Sequence, residues 1–154
     1  MDDALLSRLD RLESRVAIEA LASNYCHGFD KRNEAVFLSI WADVCVWTIG
    51  PPFGSFEGVS GVRHALTDVL WPAWGMSQHV TSNVVIDFVD DDNAHMRCDV
   101  DCTGCLADSS EATFVGATYT DTVARREGVW KIVQRDVTIH YFNSFANTRL
   151  SAPE

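Results

Sequence analysis

The segment "ATFVGATYTDTVARREGVWKIVQRDVTIHYF", residues 112–142, is the most informative part of the sequence for predicting the fold. Its apolar and polar residues alternate with a period of two, which is typical of strands that bury one face. Glu127 and Gly128 interrupt the alternation, and an exposed pair of this kind is typical of a tight turn. The stretch therefore predicts two antiparallel strands, residues 112–126 and 129–142, joined as a hairpin.

Two more alternating runs precede this stretch: "HVTSNVVIDFV", residues 79–89, and "AHMRCDVDCTGCLA", residues 94–107. The segment "DDDN", residues 90–93, separates them and is typical of a turn. In the second run, one strand face is apolar and sulfur-rich and the other is charged. The apolar face carries Met96, Cys98, Val100 and Cys102, and the charged face carries Arg97, Asp99 and Asp101. The four runs together predict an antiparallel meander or a strongly curved sheet.

The first half of the chain has a helical period instead. Leu5, Leu9, Leu12, Val16 and Leu21 recur every three to five positions and predict a helix over residues 4–28 that stops at Gly28. The remaining elements expected are helices over residues 33–42 and 60–74, with Asn33 and Ser60 as caps, and a strand over residues 43–50.

Helices followed by strands indicate an α+β architecture. We expect a single domain over residues 1–154, in which a cone-shaped, curved antiparallel sheet wraps around the N-terminal helices. Such a sheet encloses an interior apolar cavity, which is a common place for a small ligand.

The composition limits the kinds of molecule that this chain is expected to bind. The chain has 154 residues, 47% of them hydrophobic, and a formal net charge of -10. The negative charge argues against nucleic acid and against an anionic membrane, and it favours a small-molecule ligand. No apolar run approaches the length of a membrane-spanning helix, and the acidic N-terminus is unlike a signal peptide, so a cytoplasmic protein is expected.

The five cysteines have two interpretations. "CTGC", residues 102–105, resembles half of a zinc site, but a structural zinc site usually needs a second such pair, which this sequence lacks. We therefore expect small buried thiols in a reducing compartment and no metal.

Asp30 and His79 are the candidate catalytic pair. An aspartate that accepts from one imidazole nitrogen fixes the tautomer and makes the other nitrogen a better base. Each residue also has a simpler interpretation: Asp30, beside Lys31 and Arg32, as a solvated carboxylate, and His79 as a surface or core histidine.

Tyr25 and Arg135 are the other candidates. Tyr25 precedes Asp30 by five residues, so its hydroxyl can face the same cavity, although a core tyrosine fits the pattern too. Arg135 shares a strand face with Val133 and Val137, and a cation there needs a carboxylate partner, a polar ligand or a leaving group that develops negative charge. Weaker candidates are His27, His64, His95 and His140, and some of the five tryptophans are expected to line the cavity.

Some common sites are missing from the sequence. It contains no glycine-rich phosphate loop, no dinucleotide-binding fingerprint and no nucleophile-elbow serine. The functions that remain are a reaction without a cofactor or simple ligand binding.

Five segments carry a resemblance to a known family: "SRVAIEALASNYCHGFDKRN", "SIWADVCVWTI", "VLWP", "HVTSN" and "GATYTDTVARREGVWKI". In this order they resemble the SnoaL-like branch of the nuclear-transport-factor-2-like superfamily. Within that branch the chain is most similar to dehydrochlorinases and more distantly similar to dehydratases. The resemblance implies a cone-shaped α+β barrel, often a homotrimer, that performs a cofactor-independent elimination.

The resemblance also implies roles for the candidate residues. Asp30 and His79 fall on the catalytic dyad, with His79 as the base, and Arg135 falls on the arginine that assists the leaving chloride. Tyr25 matches a tyrosine of the dehydratases, where dehydrochlorinases have a lysine, and Ser77 stands where dehydrochlorinases have a cysteine. The leaving group, water or hydrogen halide, stays open. An isomerase that uses the same base, or a non-catalytic ligand-binding or accessory domain, is the alternative.

Overall fold

The computed structural model describes residues 2–151 and 153. Four helices and one π-helical turn are interspersed with six strands, and most of the helical residues lie in the first half of the chain. In chain order the elements are α1 Asp3–Asp30, α2 Glu34–Ser39, β1 Trp41–Gly50, β2 Gly54–Glu57, α3 Gly58–His64, a π-helical turn Ala65–Leu70, α4 Trp71–Ala73, β3 Trp74–Phe88, β4 Asn93–Leu106, β5 Glu111–Arg126 and β6 Val129–Arg149.

The six strands form one curved sheet in the order β2-β1-β6-β5-β4-β3. Strands β3 to β6 pair as the antiparallel meander that the alternating runs predict. The predicted sheet is wrong in one pairing, because β1 runs parallel to β6. A parallel pair needs a long connection, and here residues 51–128 provide it. The α+β prediction is confirmed, with a sheet that is mixed at this one place.

Several predicted boundaries are wrong. The third helix begins at Gly58, so Ser60 lies inside it and is not its cap, and the helical segment ends at Ala73. Strand β3 therefore begins five residues before the predicted start at residue 79, and β6 continues past residue 142 to Arg149. Strand β2, which has only four residues, is too short for a period to reveal. Asn33 does cap α2, since its side chain accepts from the backbone of Val36 at 3.1 Å.

Gly28 does not end α1, contrary to the prediction. The helix continues to Asp30, and Gly28 is buried where α2 crosses α1. A Cβ atom at Gly28 would lie 2.6 Å from the backbone nitrogen of Phe37, a distance that real contacts do not reach. The glycine therefore permits close helix packing, and the carboxylate two residues later is carried on a helical turn.

Of the five residues that predict α1, only Leu21 belongs to its buried face. Leu5, Leu9, Leu12 and Val16 are exposed, whereas Ile18, Leu21, Ala22, Tyr25, Cys26 and Phe29 are buried. In the first half of the helix, polar side chains make the contacts with the sheet. Arg11 lies over the ring of Phe88 at 4.1 Å, and Asp10 pairs with Arg125 at 2.7 Å. These contacts turn the leucines of the first half toward solvent.

Candidate active site

A largely apolar cavity lies between α1 and the concave face of the sheet. Its empty volume, including the part that opens to solvent, is about 590 Å³. Its wall is made mostly of aliphatic and aromatic side chains, and His79, Tyr25 and Tyr119 are among the lining residues that carry a polar group. The lining residues are Tyr25, Phe29, Trp47, Ile49, Phe53, Leu70, Trp74, His79, Val100, Cys102, Val115, Ala117, Tyr119, Val137, Ile139 and Phe142.

His79, which lines this cavity, is hydrogen-bonded to Asp30. The Nδ1 atom of His79 lies 2.7 Å from Oδ1 of Asp30, and the backbone N–H of His79 donates to Oδ2 at 2.7 Å. Ser77 adds a third hydrogen bond, from its Oγ to Oδ1 at 2.8 Å. The side chains are 5% exposed for Asp30 and 9% exposed for His79. The last residue of α1 and the start of β3 thus form one nearly buried unit.

The charge on Asp30 determines which imidazole nitrogen is free. Burial alone would raise the pKa of Asp30, but hydrogen bonds from His79 and Ser77, together with the attraction to His79, outweigh it, so the pKa lies below its ordinary value. An ionised carboxylate only accepts hydrogen bonds. The Nδ1 atom must therefore carry the proton, and in neutral His79 the Nε2 atom holds a free lone pair that can take a proton.

Hydrogen bonds made by Arg32 and Trp71 fix the distance between Asp30 and His79. The Arg32 guanidinium donates to the carbonyl oxygens of Trp71 at 2.8 Å and of Trp74 at 2.6 Å, and the Trp71 indole donates to the carbonyl of Phe29 at 3.1 Å. These bonds tie the end of α1 to the start of β3. Sequence reasoning named Arg32 only as a neighbour of Asp30 and missed this function, since both acceptors are backbone groups about forty residues away.

Tyr25 lies between His79 and Tyr119. Its ring meets the imidazole edge-to-face, with centroids 5.9 Å apart, and meets the Tyr119 ring at 5.2 Å. Burial raises the pKa of both phenols, which keeps them protonated. Sequence reasoning identified Tyr25 and missed Tyr119, although its position among inward-facing residues of β5 is a signal that was available.

Arg135 is fully buried and does not line the cavity. Its Nε and one terminal nitrogen donate to the two carboxylate oxygens of Asp121, at 2.8 and 2.7 Å. The structure thus contains the salt bridge that was one of the two interpretations of this residue. The guanidinium carbon lies 4.5 Å from the ring centroid of Tyr25 and 4.2 Å from that of Tyr119, so the charge sits behind the tyrosines.

The weaker histidine candidates lie away from the cavity wall. His64 pairs with Asp68 on an exposed helix surface, and His140 pairs with Thr118. His27 and His95 are exposed.

All five cysteines are free and buried. Among the residues that the structure describes, no group of three or more histidines, cysteines or acids is arranged to hold a metal ion. Within the same residues, no helix is both long and apolar enough to cross a membrane.

Comparison with known proteins identifies the family. Residues 10–136 match the SnoaL-like domain. Hexachlorocyclohexane dehydrochlorinase 1 of Sphingobium indicum is 36% identical over 148 residues, which cover 96% of each chain. The crystal structure of LinA superposes with a TM-score of 0.91 at 35% identity, over 96% of this chain and 99% of LinA. LinA-type3 of Novosphingobium barchaimii gives a TM-score of 0.89 at 35% identity, over 95% and 99%.

These likenesses confirm the resemblance that the sequence carries and the cone-shaped fold that it implies. The relatives are dehydrochlorinases, which are lyases, and this chain is likewise an enzyme of the lyase class. Because the family match and the relatives both extend over most of its length, the chain belongs to the SnoaL-like domain family.

Proposed function

We propose that this protein eliminates hydrogen chloride from a small, cyclic, apolar substrate without a cofactor. The observation that carries the proposal is the 2.7 Å hydrogen bond between Asp30 and His79 in the wall of an apolar cavity. The hexachlorocyclohexane dehydrochlorinases, at about one-third identity over nearly the whole chain, support the choice of leaving group. A chlorinated cyclohexane is the substrate class that fits both the apolar cavity and the names of these relatives.

The reaction balances with the residues of this chain. The Nε2 atom of His79 takes a proton from the ring carbon next to the one that bears chlorine. The electron pair of that C–H bond becomes the new C=C bond, and chloride leaves with the pair of the C–Cl bond. Asp30 stabilises the imidazolium that forms. No net oxidation or reduction of the protein or a partner is needed, which is why we propose no cofactor.

Tyr25 and Arg135 are proposed to stabilise the departing anion. A tyrosine hydroxyl that lines the cavity can donate to chloride, and the buried guanidinium behind the ring adds positive potential. Both effects grow as negative charge develops, so they favour the transition state over the substrate.

We also propose a homotrimer in the cytoplasm. The trimer rests on the resemblance, and exposed Phe114, Tyr141 and Phe145 near the end of the β5–β6 pair supply apolar surface for subunit contacts. Five free buried thiols support a reducing compartment. Gel filtration with light scattering measures the mass, and a monomer would contradict the trimer.

The test is chloride release from hexachlorocyclohexane isomers, followed with a chloride electrode and with gas chromatography of the organic product. We expect an alkene and one chloride per turnover from the wild type, and none from His79→Gln. His64→Gln is the matched control, since it removes an exposed histidine that also pairs with an aspartate. Deuterium incorporation from heavy water without chloride release would instead indicate the isomerase, and the absence of both reactions would contradict an enzyme acting on this class.

A further inference from the structure

The outward face of the first half of α1 carries an apolar stripe that is left uncovered by the part of the chain that the structure describes. Its members are large and aliphatic, yet they are between 45% and 68% exposed; they are Leu5, Leu9, Leu12 and Val16. The other face of the same turns contacts the sheet, through the pair of Asp10 with Arg125 and through Arg11 over a phenylalanine ring. The folded chain therefore holds this stripe toward solvent, and a contiguous exposed stripe of this kind is typical of an interaction surface.

The spacing of the stripe is that of a coiled-coil seam. Its members are separated by four, three and four residues, which is the alternation of the a and d positions of a heptad. Leu5 and Leu12 take the d positions, and Leu9 and Val16 take the a positions. Ser14, at the f position opposite the seam, is buried beside Arg125 of β5. One face of α1 thus packs within the chain, and the other has the pattern that packs on a second helix.

The charged residues beside the seam indicate which helix fits it. Arg8 is at a g position, and Glu13 is at the e position of the next heptad. In two parallel helices the g residue of one chain faces that e residue of the other, so two copies of α1 form two pairs of Arg8 with Glu13. Neither residue forms an ion pair within the described chain. An antiparallel arrangement would instead bring Arg8 close to Arg15 of the other copy, and these charges repel.

We propose that this seam joins two copies of the chain through their α1 helices, which lie parallel to each other. The inference goes beyond the proposed reaction and does not depend on it. An isolated helix of two heptads pairs weakly, because much of the binding free energy is spent on forming the helix. In this chain α1 is already folded, continues to Asp30 and is held on the sheet. Association therefore does not have to order it, and this preorganisation favours pairing of a short seam.

An amphipathic helix can also lie on a membrane surface, but the charges of this helix oppose that alternative. Helices of that kind carry an excess of lysine and arginine on their polar face, which attracts anionic lipids. Residues 2–19 contain five acidic and three basic side chains. A second copy of α1 fits better, because it supplies an apolar stripe of the same spacing and an opposite charge for Arg8 and for Glu13.

The first test compares the mass of the wild type with that of Leu12→Glu, by gel filtration with light scattering. The substitution puts a charge in the seam at an exposed position and leaves intact the exposed aromatic residues near the end of the β5–β6 pair, which are proposed to form the trimer. The mass of Leu12→Glu therefore reports the unit that those residues form. We expect the wild-type mass to be at least about twice as large, with the same thermal midpoint for both proteins. Equal masses would overturn the seam, whatever that unit is.

Cysteine cross-linking tests the direction of the two helices. In a parallel pair, Leu5→Cys faces the same residue of the other copy, and mild oxidation joins the two thiols. In an antiparallel pair it lies opposite Val16, and the two thiols are about 16 Å apart along the helix. Ser7→Cys, on the opposite side of the same turn, is the control, and the five native cysteines are buried. We expect Leu5→Cys to cross-link at least about 10-fold faster than Ser7→Cys, and equal rates would contradict a parallel pair.

Charge reversal tests the flanking pairs. Arg8→Glu places like charges opposite each other in a parallel pair, and we expect the Kd for association, measured by analytical ultracentrifugation, to rise about 3- to 10-fold. The double variant of Arg8→Glu with Glu13→Arg re-forms both pairs with the charges exchanged, and its Kd should return to within about 2-fold of the wild type. A lower Kd in Arg8→Glu would indicate that its glutamate meets Arg15 in an antiparallel pair. That result, or a double variant no tighter than Arg8→Glu alone, would overturn the proposed arrangement.

Discussion

Both oxygens of the Asp30 carboxylate are bound by the same residue, His79, one through the imidazole and the other through the backbone N–H. This double contact fixes the ring in rotation as well as in distance. It also fixes the tautomer, because a carboxylate can only accept. A base held in this way loses little freedom when it takes a proton, which is the condition for efficient proton transfer in an apolar cavity.

Replacing Asp30 with asparagine should invert the tautomer. The backbone N–H of His79 cannot change from donor to acceptor, so the asparagine carbonyl will turn toward it. The amide NH₂ then faces Nδ1, which must accept, and the proton moves to Nε2. We expect kcat for chloride release to fall about 10²- to 10⁴-fold. The control is Asp68→Asn, which changes the exposed aspartate beside His64. Unchanged turnover in Asp30→Asn would contradict the dyad.

The same carboxylate predicts a pH dependence of stability. Since the pKa of Asp30 is lower in the folded protein than in the unfolded chain, its ionised form stabilises the fold above the unfolded value of about 3.9. That contribution is present at pH 7 and is lost as the pH falls through the folded pKa. Urea unfolding should therefore give a difference in free energy between wild type and Asp30→Asn that shrinks as the pH falls below about 4. A difference that stays unchanged below pH 4 would contradict this prediction.

Replacing both members of the Asp121–Arg135 ion pair should lower the free energy of unfolding less than replacing either member alone. Removing one partner leaves a buried charge, so Asp121→Leu or Arg135→Met alone is expected to lower the free energy of unfolding by about 3–5 kcal/mol. The double variant leaves no charge and should recover much of that loss. Guanidinium unfolding measures all three. The recovered double variant should still be slow in chloride release, because the potential behind Tyr25 is gone; full activity would contradict a role in the reaction.

The cysteines should resist alkylation in the folded protein. Burial raises the pKa of Cys102 to about 12 and those of Cys26 and Cys98 to about 11, so almost no thiolate exists at pH 8. Mass spectrometry after a short iodoacetamide pulse should show little labelling of native protein and five labels after unfolding. Ser7→Cys, which places a thiol on the exposed part of α1, should label at once. Rapid native labelling of Cys102 would indicate an accessible thiolate and contradict the prediction.

Arg32 should matter for turnover more than for stability. Arg32→Ala removes one hydrogen bond to α4, at Trp71, and one to the first residue of β3, Trp74, which loosens the distance between Asp30 and His79. We expect kcat to fall about 10-fold, since small displacements of catalytic groups are costly, with KM nearly unchanged. Lys31→Ala removes the neighbouring exposed cation and is the control. Equal effects of the two substitutions would indicate that net charge, and not the anchoring of β3, is responsible.

Strands β4 and β5 were the most predictable because one face of each is buried along most of its length. In β4, alternation alone places Met96, Cys98, Val100 and Cys102 inside and Arg97, Asp99 and Asp101 outside, and the structure agrees. The same logic failed for the first half of α1. Periodicity reveals which residues share a face, but it does not reveal whether another element covers that face.

The site was predictable only in part. Asp30 and His79 are far apart in the sequence; their chemistry suggested the pair, and the family resemblance supported it. The burial of Asp121 was predictable, since it lies between inward-facing Tyr119 and Val123 on β5. Its partner on β6 could not be predicted from the length of the hairpin turn. A two-residue turn would place Asp121 opposite Gln134, and a bulge after Thr122 shifts the register so that it meets Arg135.

The central position of β6 in the sheet has a consequence for cotranslational folding. This last strand lies between β5 and β1, and its Val137, Ile139 and Phe142 complete the cavity wall. While β6 is still inside the ribosome, no strand connects β1 to the meander. Trp41 and Trp47 of β1 therefore stay uncovered. Contacts between segments roughly ninety residues apart form slowly. Chaperone binding to nascent chains should therefore be strongest just before the last strand emerges, and it should end once β6 is inserted.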